Sequence, residues 1–253
     1  MVSSISDYGW WRDFSGGALE AHCVTLARGL TPREFLGRLG AVPQGDLAGF
    51  GAFMSLHWKV LERLNHGWGD FFLVGAVEVS GGGGPWTLAL ELNGIVGVEP
   101  SLMSAATAGT TAVSHFMNVN GLGRFCAWRD GVLTTGFEWP SLRSGSDPDA
   151  LDAAVARIGG IEPGRHKADR YLVLGEELTG VKITSELLTR AVYTAGVVAV
   201  SPRARADGWS WEPTPREAAR EADIRAWLHA QGVKVPPGPL RSIMIEMYEA
   251  AHG

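Results

Sequence analysis

Cysteine is scarce in this 253-residue chain, with Cys23 and Cys126 the only two. Both lie in apolar contexts, which favours buried free thiols over a disulfide. No apolar run reaches the roughly 18 residues of a membrane span. No basic start leads into an apolar leader segment either, so a soluble, cytoplasmic protein with no membrane contact is expected. Positive charge is not in excess: 22 Lys and Arg against 27 Asp and Glu leave a net charge of −5. A surface made for phosphate backbones needs the reverse, so DNA is not an expected partner. Catalytic signatures are missing as well. There is no Gly-x-Ser-x-Gly elbow, His-Glu-x-x-His, Gly-x-x-x-x-Gly-Lys or Cys-x-x-Cys, and Gly121-x-Gly123 lacks the third glycine of a dinucleotide loop. The Gly81–Gly84 run precedes Pro85, not a helix carrying Lys and Ser or Thr, so it reads as a hairpin loop. The seven histidines form no helical metal clamp. Neither a metal nor a cofactor is expected.

What is present is a globular composition, 45% hydrophobic and 19% charged, with ten tryptophans that either fill a core or wall a pocket. The densest polar, Gly-punctuated stretch runs from Trp86 to Asp149. Alternation predicts strands over Trp86–Leu92 and Thr110–Val119, with a tight turn at Asn93-Gly94. Arg129-Asp130-Gly131 predicts a hairpin between Phe125–Trp128 and Val132–Phe137. Further strands are expected over Glu20–Arg28 and Phe71–Val79. Thr31-Pro32-Arg33-Glu34 is a capping box that opens a helix through Leu39, stopped by Gly40. Residues 43–70 are harder to read: helical spacing covers Leu56–Leu64, with Asn65-His66-Gly67 as its stop, and the segment reads equally as partly loop. Helices are also expected over Pro100–Ala108, from the Ser146–Asp149 cap to Ile158, and over Tyr171–Leu178, with a helical or mixed element at Glu186–Val192.

Residues 1–200 thus read as an α+β body, mainly an antiparallel sheet with flanking helices. The Pro- and Gly-bearing residues 201–214 read as a linker. Residues 215–253 read as a small helix-turn-helix-like module. Thr214-Pro215-Arg216-Glu217 repeats the capping box, Gly232 ends a first helix, and Leu240–Ala251 forms the second.

The segments WTLALELNG, AGTTAVSHFMNVN, DGVLTTGFE, RSGSDPDAL and ELTGVKIT resemble a family of actinobacterial proteins of unknown function, over roughly residues 8–195. The resemblance brings no established family-wide activity; some such orphan proteins sit in natural-product gene clusters and act there as small cofactorless enzymes. The tail, EADIRAWLHAQGVKV and GPLRSIMIEMYEAAHG, resembles the C-terminal module of the actinobacterial histone-like nucleoid silencers. In that family an Arg-Gly-Arg turn enters the minor groove. Here Gly238 matches the glycine, while Pro237 and Pro239 replace the arginines, removing charge and donors. From Pro202 onward, seven Lys and Arg balance seven Asp and Glu. The tail therefore reads as a docking module for a protein partner.

The residues support general acid-base chemistry on a small-molecule substrate in an aromatic pocket. His115, in an apolar strand, is a neutral base or a core histidine. His57, beside Trp58, carries the same two readings. Glu91, at mid-strand, is a catalytic carboxylate or a solvated strand residue. Asn93, Asn118 and Asn120 could orient a carbonyl, with turn duty the alternative for Asn93. Trp58, Trp86 and Trp128 could wall the site, and Arg143 could hold an anion or pair with Asp147 and Asp149. With the 86–92 and 110–119 strands side by side, His115 and Glu91 are expected on one face, close to one substrate. The leading expectation is a cofactorless biosynthetic enzyme acting on a carbonyl-activated, polyketide-like substrate by dehydration, Michael-type addition or cyclisation. The alternative is a non-catalytic partner-binding or nucleoid-associated module. A deep apolar cleft holding a buried titratable group favours the first, a flat apolar patch with no such cleft the second.

Overall fold

A computed structural model describes residues 4–64, 69–161, 167–212, 215–236, 240 and 242–252. The helix stop at 65–67, the cap at Thr214 and the turn at 237–239 expected from the sequence lie outside these residues. The body is built on one sheet of nine strands: β1 (His22–Arg28), β2 (Val42–Ala48), β3 (Phe71–Gly81), β4 (Gly84–Leu92), β5 (Thr111–Met117), β6 (Gly123–Arg129), β7 (Val132–Phe137), β8 (Arg143–Ser144) and β9 (Val192–Ala199). They pair in the order β2-β9-β3-β4-β1-β5-β6-β7-β8, and every pairing is antiparallel. The fold is α+β, with helices on both faces of the sheet.

Period-two alternation decides which side chains reach which layer. One face carries Val24, Leu26, Leu73, Val77, Leu88, Leu90 and Val197. Over it lie α2 (Gly49–Arg63), α5 (Lys167–Thr179) and α6 (Ser185–Arg190), together with a 3-10 segment at Ile5–Trp11 that buries Tyr8 and Trp11. The same face continues over β5–β7, where Phe125 and Phe137 pack on Tyr171 and on α4 (Asp152–Arg157). The opposite face carries Val74, Ala76, Ala89, Ala112 and Trp128. It is covered by α1 (Pro32–Arg38), α3 (Pro100–Ala106) and a 3-10 turn at Val96–Val98.

The local signals account for many of the boundaries. Thr31 accepts the Glu34 amide while Glu34 reaches back to the Thr31 amide, closing the capping box at the start of α1. Asp130 and Gly131 take φ values of 48° and 76°, the left-handed pair that a two-residue hairpin requires. Several expectations need correction. Residues 42–48, for which no element is expected from the sequence, form an edge strand with a register shift between Pro43 and Gly45. α4 starts at Asp152, not at the 146–149 cap, because the Ser146 and Asp147 amides are spent on the β7 carbonyls of Leu133 and Thr134. Residues 201–214, read as irregular linker, begin with a helix, α7 (Pro202–Asp207), capped by the Ser201 hydroxyl.

The tail is a hairpin of α8 (Pro215–Ala230) and α9 (Ser242–His252). It closes on its own cluster of Ile224, Leu228, Leu240 and Met244. No helix among the described residues is long and apolar enough to cross a membrane.

Candidate functional site

Glu91 and His115 stand on opposite faces of the sheet. β4 and β5 are not neighbours, because β1 lies between them. Across β1, Glu91 aligns with Cys23 and Phe116, whereas His115 aligns with Val24 and Leu90. A one-residue offset in alignment is a change of face. The turn at Asn93-Gly94 does not return the chain alongside β4; it sends it through the 96–98 turn and α3 across one face. The slot beside β4 is thereby left to β1.

Glu91 is buried, and its carboxylate accepts the amides of Val96 at 2.8 Å and Gly97 at 3.1 Å. Trp128 Nε1 donates to Ser114 Oγ at 3.0 Å, and Ser114 donates to the Gly97 carbonyl at 2.5 Å. Glu91 and Trp128 therefore serve one network, which holds the 96–98 turn on the sheet. Gly97 must be glycine there: a Cβ would meet Thr25 Oγ1 at 2.2 Å and Cys23 Sγ at 2.9 Å. Burial pushes Glu91 up to about 7 against the downward pull of the two amides. Burial, then the neighbouring carboxylate, pushes the Cys23 thiol up.

On the opposite face His115 meets His22, which the sequence reading had placed only as a strand residue. Their ring centroids are 5.2 Å apart, edge to face. Trp11, Phe125 and Tyr171 complete the enclosure. His22 Nδ1 lies 2.7 Å from the Leu19 carbonyl, which only accepts, and 3.4 Å from Trp11 Nε1, which only donates. The much shorter contact decides, so Nδ1 carries the proton and Nε2 carries the lone pair. That Nε2, like His115 Nδ1, is buried without a hydrogen-bond partner among the described residues. Burial lowers His22 to about 4, and burial followed by the neighbouring His22 holds His115 well below the usual imidazole range. Both rings are neutral at physiological pH.

The remaining candidates scatter. His57 is buried in α2, lowered to about 4 by burial, and lines a cavity with Asn93, Leu64, Phe72 and Leu92. That cavity holds about 10 Å³, about the least space that admits one water. Asn93 takes φ 53° to turn the chain out of β4. Trp58 is exposed on α2. Trp86 packs in the core and donates Nε1 to the Gly82 carbonyl at 3.1 Å. Asn118 folds its own loop, its Oδ1 accepting the amides of Asn120 at 3.0 Å and Leu122 at 2.9 Å, while Asn120 is exposed. Arg143 at the far edge pairs with Asp149 at 2.8 Å and with Asp152. The structure thus joins Glu91 to Trp128 and His57 to Asn93, and it separates both pairs from His115, Asn118 and Asn120. Among the described residues no group of three His, Cys, Asp or Glu side chains could hold a metal ion.

Two further residues escaped the sequence reading. Ser114 and His22 lie in strands expected from the sequence, at positions that carry no local signal of a role. Their roles follow from the β1–β5 register, which alternation within each strand does not specify.

Comparison with curated proteins yields no match, and none is found among solved structures. One family model does match, over residues 1–203, and its description is a family of unknown function. The match spans the whole nine-stranded sheet and stops just inside α7, before the helical hairpin. This chain belongs to that family, DUF6461.

Proposed function

We propose that the chain is a non-catalytic partner-binding protein, in which the sheet body is a scaffold and the C-terminal hairpin is the contact element. One observation carries this reading: the best acid-base groups are enclosed on opposite faces and committed to holding the fold. Glu91 fastens the 96–98 turn, His115 is ringed by aromatics, and the space beside His57 is too small for a substrate. Substrate pockets of ordinary size run to hundreds of cubic ångströms. A space of about 380 Å³ lies beside Glu78, Ser80 and Lys182, but it is an open surface groove and none of these acid-base groups lines it.

The hairpin is suited to a protein contact. Among the described residues its core has four buried apolar side chains with five partly buried ones against them, small for a chain of about 40 residues to stand alone, so association adds needed stability. Ile243 and Met247, four residues apart on α9, are both exposed and share one side of the helix. With seven charges of each sign from Pro202 onward, the contact they support is apolar. The likeness to the nucleoid silencers' module, with prolines in place of the groove-reading arginines, fits a hairpin that kept its shape and gave up DNA. We place its action in the cytoplasm.

A second reading has one observation in its favour. A carboxyl group near 7, as at Glu91, suits general acid-base catalysis. It would make the chain a cofactorless enzyme acting on a carbonyl-activated, polyketide-like substrate by dehydration, Michael-type addition or cyclisation. Thermal-shift titration with β-hydroxy and β-keto acyl thioesters separates the two readings. The partner-binding reading predicts no saturable stabilisation by any of them. Saturable stabilisation that Glu91→Gln or His115→Ala abolishes would overturn it.

A further inference from the structure

The C-terminal hairpin meets the body through one side chain in particular. Arg63, in the last turn of α2, donates from Nε to the Ser210 carbonyl at 2.9 Å. One terminal nitrogen donates to the Glu212 carbonyl at 2.9 Å and to Glu217 Oε2 at 3.0 Å, and the other reaches Glu217 Oε1 at 3.4 Å. Its Cζ sits 5.7 Å from the centre of the Trp209 ring. The Arg63 side chain is only 13% exposed while Glu217 is 42% exposed, so the ion pair is shielded from solvent on the arginine side alone.

We propose that Arg63 is the clasp that docks the C-terminal hairpin on the body, and that residues 208–212 are the strap it locks. Three features support this. The strap lies outside regular structure, so its carbonyls need donors from elsewhere, and a guanidinium offers several in a rigid fork. Strap and hairpin are caught together, because the same nitrogen that bonds Glu212 also bonds Glu217 on α8. The apolar cluster of the hairpin is separate from those of the body, whose core reaches the strap at Trp209 but not α8 or α9, so the hairpin itself is held by the polar contact. Around the clasp, Trp209 packs edge-on against Phe71 at 5.3 Å, and Trp211 Nε1 donates to Gln44 at 3.0 Å. Gly208, at φ 71° and ψ 164°, supplies the swivel. With the clasp closed, α9 is presented in a fixed pose relative to the sheet. With it open, the hairpin swings on the strap.

The inference rests on the partner-binding reading only for its purpose. Its test involves no partner, so docking and partner binding can fail separately. Full-length wild type, Arg63→Ala, Arg63→Lys and Glu217→Gln are compared by hydrogen exchange and small-angle scattering. In Arg63→Ala, exchange across 208–217 should rise about tenfold or more, the effect of losing a charge-assisted bond. The maximum dimension should lengthen while β3, β4 and β9 keep their protection. Arg63→Lys should recover only part, because an ammonium cannot span the same fork of acceptors. Glu217→Gln, which leaves the body untouched, should loosen the hairpin in the same direction by a smaller factor. Unchanged exchange and scattering in both Arg63→Ala and Glu217→Gln would overturn the clasp. So would a loss of protection that spreads through the sheet in Arg63→Ala with no effect of Glu217→Gln, since Arg63 would then be a core residue alone.

Discussion

Replacing Glu91 by Gln probes the most consequential electrostatic feature of the fold. In the folded chain the carboxyl is raised from 4.5 to about 7, first by burial. Between those values the unfolded chain has released a proton that the folded chain still holds. The stabilising contribution is therefore fully present below about 4.5, falls as pH rises, and is exhausted above about 7. At about 1.4 kcal/mol per pH unit, the shift amounts to about 3 kcal/mol in all, of which about 2 kcal/mol is lost between pH 5.5 and 8. Gln cannot ionise, and its amide nitrogen cannot accept the backbone N–H that either oxygen of the carboxyl group accepts, protonated or not, which costs about 1–3 kcal/mol at every pH. Urea unfolding of both proteins at pH 5.5, 6.5, 7.5 and 8 gives the difference in stability, in which the histidine contributions cancel. The advantage of wild type over Glu91→Gln should shrink by about 2 kcal/mol across that range. A difference that stays constant to within about 0.5 kcal/mol would refute a buried carboxyl titrating near neutrality.

Other expectations follow from the same packing. His22, His57 and His115 are all depressed by burial, so the stability they hold is present above about pH 6.5 and is lost as pH falls toward 4. His115→Phe, which suits the company of Phe125 and Tyr171, should flatten the acid limb of a urea-midpoint profile between pH 4.5 and 6.5; an unchanged slope would refute it. Gly97→Ala should cost about 1–3 kcal/mol by driving a methyl into Thr25 and Cys23, read as a lowered melting temperature with the fold retained. Thr31→Ala removes the cap of α1 and should cost about 1 kcal/mol in denaturant melts.

The local chemistry of the chain was largely legible. The Thr31 capping box, the Asp130-Gly131 hairpin and the alternation of β4 and β5 each rest on interactions within a few residues. The fold class followed from them. β2 was hidden because VPQGDLA is an exposed edge strand, whose Pro and Gly read as loop and whose apolar residues do not alternate. β9 was missed because its burial is nearly continuous, leaving the preceding helix as the only periodic signal. The candidate site failed at a single topological step. Each strand showed which residues alternate, but the presence of β1 between β4 and β5, and its register, depend on contacts across tens of residues. That register moved His115 away from Glu91 and set it beside His22. Arg63 gave no sequence signal at all, since its acceptors are two backbone carbonyls and a carboxylate some 150 residues away.

The central claim is that the hairpin, not a buried pocket, is the working surface. Site-specific photo-crosslinking tests it most directly. A photoreactive amino acid is placed in the full-length chain at Ile243, at Met247 or, as a body control, at Trp58, which is also exposed. The proteins are irradiated in the cells that naturally produce the chain. The account predicts one discrete polypeptide adduct shared by positions 243 and 247 and absent at 58. Adducts absent from 243 and 247, or equally abundant at all three positions, would contradict it.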